Sequence, residues 1–143
     1  MRNICAAAIA ATFFVVIPVS GHHSTSIYDT DTVMSIEGIV TRYEWKNPHT
    51  YIQIETAGAE GTHFTDIEAG SISWLRPLGL APDSFQVGDP VTVRVYPPTR
   101  QNTQVVLGRE IITQDGTLIP LNSLSPYIND ASSSGSAPDL SGT

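Results

Sequence analysis

Four histidines, His22, His23, His49 and His63, carry the strongest metal-ligating chemistry in this chain, and their spacing decides which of them can meet at one ion. His22 and His23 follow a long uncharged run. A cut between Gly21 and His22 gives His22 a free α-amine beside its own imidazole. Amine and ring can chelate one cation, and a nitrogen-rich tetragonal set suits Cu(II). His49 closes the corner Asn47, Pro48, His49, where proline removes a backbone donor and drives Asn47 toward extended geometry. His22, His23 and His49 are therefore the candidate metal ligands, with Glu68, Asp29 and Asn47 as groups that would orient them. Such a site weakens below about pH 6, because ligating nitrogens must shed their protons. The same residues also fit a solvated chain end and an ordinary exposed turn, so spacing alone leaves the alternatives open.

Strand pairing tests which histidines can share a site. The runs Thr50 to Thr56 and Thr62 to Glu68 read as a hairpin through Ala57, Gly58, Ala59 and Glu60, pairing Thr56 with Gly61. That register sets His49 opposite Glu68, Tyr51 opposite Asp66 and His63 opposite Ile54. His49 and Glu68 then have Cβ atoms about 5 Å apart. His63 falls about 17 Å from His49 at about 3.4 Å per residue, too far to join it. A slip by one residue would set Asp66 and Glu68 beside Ile52 and Ile54, which burial disfavours.

The elements that position these groups begin after an address. Met1, Arg2 and Asn3 precede an uncharged run from Ile4 to Val19, too short to span a bilayer, so residues 1–21 read as a cleaved secretory signal. The expected location is periplasmic or secreted, with no membrane association after cleavage. Cys5, the single cysteine, leaves with the signal, and disulfide or thiolate chemistry leaves with it. Fourteen acidic residues against seven basic ones give the 143-residue chain a net charge of −7, which argues against nucleic acid as a partner.

Residues 22–34 form an N-terminal arm. From Ser35 the pattern is one of short β-rich runs separated by turn residues: Ile36 to Trp45, Thr50 to Thr56, Thr62 to Glu68, Pro90 to Tyr96 and Val105 to Thr113, with a short run from Thr117 to Leu121. Ser71 to Arg76 reads as one short helix stopped by Pro77. Three strands, a helix and two more strands predict a mainly β fold, a five-stranded OB-like Greek-key barrel over residues 35–122. Residues 123–143, rich in Ser, Gly and Pro, read as a disordered tail.

Together the start His22, His23, Ser24, the strand Gly38 to Trp45 with Asn47, Pro48 and His49, then Ile67, Glu68, Trp74, Leu75 and Gly88 to Val93 make a recognisable whole. The chain resembles the family called domain of unknown function 6152, over residues 22 to 120. That resemblance implies a short exported bacterial protein with a His-His-Ser mature start and a Trp-x-Asn-Pro-His motif, and implies joint use of His22, His23 and His49. Phe64 stands where the family pattern has a Trp.

Three function classes follow. The first is a periplasmic copper-binding module without catalytic residues. The second is a metal-independent module that binds an unknown periplasmic partner or small ligand on a face formed by Tyr43, Trp45 and Tyr51. The third is a copper-dependent oxidoreductase, for which the chain offers no nucleophile elbow and no phosphate-cradling glycine loop.

Overall fold

The computed structural model describes residues 25–59, 61–100 and 103–127. The proposed signal, His22, His23 and the stretch from residue 128 onward lie outside these residues. Six strands follow in order: β1 (Met34–Glu44), β2 (Tyr51–Gly58), β3 (Gly61–Glu68), β4 (Pro90–Tyr96), β5 (Val105–Thr113) and β6 (Leu118–Pro120), with helix α1 (Ile72–Leu75) between β3 and β4. They are joined in the order β3-β2-β1-β4-β5-β6, and a parallel pairing of β3 with β5 closes the first five into a barrel. The predicted OB-like order is therefore the observed one.

Closure depends on β1 serving two partners. Its first half, Met34 to Ile39, pairs with β4, and its second half, Ile39 to Glu44, pairs with β2. The register shifts between Val40 and Arg42, and the extra residue, Thr41, turns its hydroxyl onto Gln53. A bulge of this kind bends and twists a strand, which is what a corner between two sheet halves requires. Gly38 lies just before it, where an added Cβ would stand 2.6 Å from the Glu55 carbonyl oxygen. That contact is backbone and cannot move aside cheaply. Gly38→Ala is expected to cost about 1–3 kcal/mol in urea unfolding; an unchanged midpoint would refute the close approach.

Alternation fills the interior. Ile52 and Ile54 from β2, Ile67 from β3, Val91, Val93 and Val95 from β4 and Ile111 from β5 all point inward, and Leu75, Leu80 and Phe85 from the α1 connection close one end. Period-two β-branched residues suit a half-buried pleated surface, which is why these runs become strands.

The hairpin register differs from the sequence expectation by two residues. Tyr51 pairs with Glu68, Gln53 with Asp66, Ile54 with Thr65 and His63 with Thr56, and the ladder continues to Gly58 opposite Gly61. Ala57 and Gly58 extend the strand where turn chemistry was expected, and Gly61 takes up the reversal at φ 118°. A shift of two keeps every side chain on its predicted face. It moves His49 to a position diagonal to Glu68.

The chain beyond residue 122 also packs. On the outer face of β5, Glu110 is fully buried, held by Arg94 Nη1 at 3.3 Å, Arg109 Nε at 3.2 Å and the Ser125 hydroxyl at 3.1 Å. A second register shift, between Arg94 and Val95, leaves Arg109 as the extra residue and lets it reach the same carboxylate as its neighbour's partners. The Asn122 side chain donates to the Gly108 carbonyl, and Leu124 N–H returns to Asn122 Oδ1 at 2.6 Å. The first residues of the expected tail are thus a turn laid over β5.

Candidate functional site

Glu68 is the centre of the site. It ends β3, lies beside Leu107 of β5 in the parallel pairing, and its carboxylate is met by three side chains. His49 Nδ1 stands 3.1 Å from Oε1; the Tyr28 and Tyr51 hydroxyls donate to Oε2 at 3.2 and 3.4 Å. Side-chain exposure is 27% for His49 and 18% for Glu68, so the contact is partly shielded from water. Nδ1 faces the carboxylate and leaves Nε2 as the nitrogen turned away from it, the usual arrangement behind a metal-bound histidine.

The corner that carries His49 is pinned from two sides. The Asn47–Pro48 bond is cis, and Asn47 Oδ1 accepts the Ile72 N–H at 3.2 Å, satisfying a first-turn donor of α1 that Ser71 leaves without a side-chain cap. Thr50 N–H donates to Gly70 and Ala69 N–H donates to Thr50, at 3.1 and 2.8 Å, continuing the β2–β3 pairing past its ladder. His49 therefore projects from a fixed backbone.

The arm reaches the same place from outside the barrel. A turn of 3-10 helix at Thr25–Ile27 leads to Tyr28, which bridges to Pro98. Asp29 N–H donates to Pro97, and Thr99 gives both its N–H and its hydroxyl to the Ile27 carbonyl, at 2.8, 2.9 and 3.0 Å. The Tyr28 ring, 7% exposed, packs with Tyr96 and Leu107. Burial first, then the Glu68 charge and hydrogen bond, push the Tyr28 phenol well above its ordinary pKa, and the same causes raise Tyr51. Both remain donors through neutral pH.

Between arm, corner and C-terminal turn lies a cavity of ≈ 170 Å³, walled by Thr25, Ile27 and Tyr28 on one side and by His49, Glu68 and Leu124 on others. Ile27 and Leu124 at its rim are 53% and 41% exposed.

Of the residues singled out from sequence, the structure joins His49 and Glu68. Asn47 holds the corner to α1. Asp29 turns back on its own loop, its carboxylate held below the ordinary range by the Thr32 hydroxyl and the Asp31 N–H. His63 sits near the far end of the hairpin, where its ring lies against Gly58. Among the described residues no three His, Cys, Asp or Glu side chains form a ligand group, and no helix is long and apolar enough to cross a membrane. Tyr43 pairs with Ile52 and stacks edge-on against Phe85 at 5.2 Å, whereas Tyr51 is on the opposite face under Lys46. The three aromatics named for a binding face are thus split between two faces. Tyr28 has no part in the site expected from sequence, and Tyr51, expected opposite Asp66, is opposite Glu68 instead because the hairpin register is longer by two.

A family profile matches residues 11–107, well over half of the chain. The chain belongs to the DUF6152 family. Its description is a family of unknown function. The DUF6152 match takes in Tyr28, His49, Tyr51 and Glu68, and it ends at Leu107, beside Glu68. No curated protein matches the chain.

Proposed function

We propose that this DUF6152 protein is an exported periplasmic metal-binding module that holds copper between its processed N-terminus and the Asn-Pro-His corner. The observation that carries the reading is the His49–Glu68 contact of 3.1 Å beside a docked arm whose first described residue, Thr25, walls the same cavity. His23 and His22 are two and three residues from Thr25, so covalent reach alone keeps their Cα atoms within about 7 and 11 Å of it. The α-amine and imidazole of His22, with His23 and the Nε2 of His49, make a nitrogen-rich set suited to Cu(II). Glu68 supports it by fixing the His49 ring.

The test is Cu(II) titration of the chain beginning at His22 and of its His22→Ala variant. One equivalent bound by the first, and affinity at least about tenfold lower in the second, is the expected result; equal, negligible binding by both would end the reading.

A second reading rests on the exposed apolar rim of the cavity, Ile27 and Leu124. It makes the module a metal-independent binder of a small ligand, and it predicts capture that persists with chelator present.

A further inference from the structure

We infer that Tyr28 is a positioning residue for the His49 centre: its hydroxyl, by sharing Glu68 with His49, couples the seating of the N-terminal arm to the orientation of the imidazole. The inference rests on the metal reading only for its consequence on copper; the seating itself is a property of the metal-free protein.

The arm's backbone is tied to Pro97 and Thr99, on the β4–β5 connection. Those bonds hold the arm to a loop and leave its distance to the His49 corner unset. Tyr28 sets it, because its hydroxyl reaches across 40 positions of sequence to Oε2 of Glu68 while Oε1 faces His49 Nδ1. The ring has separate support from Tyr96 and Leu107, and Leu107 is itself the β5 partner of Glu68. Arm, carboxylate and imidazole therefore form one chain of contacts anchored in the barrel wall. A carboxylate held on both oxygens cannot rotate freely, so the ring it orients is held as well. Tyr51 donates to the same Oε2 at the longer distance of 3.4 Å, but from strand β2 rather than from the arm.

That difference supplies the control. Tyr28→Phe keeps the packed ring and removes the donor; Tyr51→Phe removes the other donor to the same oxygen and leaves the arm alone. Both variants of the chain beginning at His22 are compared with wild type, without metal, by amide hydrogen exchange over residues 25–31 and by long-range ¹H–¹⁵N spectra of the His49 ring. In Tyr28→Phe the amides of Tyr28 and Asp29 should exchange at least about tenfold faster, and the His49 ring ¹⁵N signals should move from their wild-type positions. Tyr51→Phe should alter the ring signals and leave arm exchange at the wild-type rate. Copper affinity should then fall about tenfold in Tyr28→Phe. Unchanged arm exchange and ring signals in Tyr28→Phe would overturn the inference, as would equal acceleration of the arm in both variants. If wild type binds no copper while the exchange and ring results appear as stated, the metal reading fails and the coupling stands.

Discussion

Glu110→Ala should lower the unfolding free energy by about 3–5 kcal/mol, the cost of removing one partner from a buried ion pair and leaving the others uncompensated. Arg94, directly opposite in β4, and Arg109, beside it at the bulge, would both lose their carboxylate, and the Ser125 hydroxyl would lose its acceptor. In a domain of this size each kcal/mol is worth about 4–8 °C in Tm, so the melting point should fall by more than about 12 °C. Glu110→Gln keeps one acceptor oxygen, for Ser125 or for Arg94, and should cost less than the alanine change. The effect reaches the site, because the turn tied down by Ser125 includes Leu124, which walls the cavity beside His49. Thermal unfolding of the two variants is the measurement. A loss below about 1 kcal/mol in Glu110→Ala would mean that the buried network is solvated and contributes little.

The second large effect concerns the metal. His49→Ala should weaken Cu(II) binding by at least about 100-fold, more than the 10–100-fold typical of removing a group that only orients a ligand. Glu68→Gln should fall within that lower range, because the amide oxygen can still accept from one donor while the charge that favours an Nδ1–H ring is gone. The fold should survive both changes: His49 is on a corner held by Asn47 and by backbone bonds of Thr50, none of which uses the imidazole. Competitive titration with unfolding curves for each variant separates ligand loss from misfolding. Affinity of His49→Ala within threefold of wild type would place the copper elsewhere.

How much of this was legible in the sequence depends on how local each signal is. The β2 and β3 faces were readable, because Ile52, Ile54 and Ile67 alternate with Tyr51, Gln53, Asp66 and Glu68, and burial forbids the one-residue slip. The loop length was not, since Ala57 and Gly58 are weak strand formers that nevertheless extend the ladder in a hairpin held by its inner residues. That misreading kept the His49–Glu68 pairing but hid Tyr51, which takes the place directly opposite Glu68. Tyr28 carried no local signal at all. Its partner is 40 residues away, and only closure of the barrel brings the arm past the end of β3. Glu110 was masked by the bulge at Arg109, which breaks the alternation that would have flagged a carboxylate among buried neighbours.

The most direct test of the copper centre is paramagnetic broadening in the NMR spectrum of the chain beginning at His22, recorded as Cu(II) is added below one equivalent. Bound copper should erase signals of Thr25, Tyr28, His49 and Glu68 first and leave His63 sharp, since His63 pairs with Thr56 and is about 24 Å along the strands from His49. Broadening that begins at His63, or that spreads evenly over the protein while the His49 corner keeps its signals, would contradict the account.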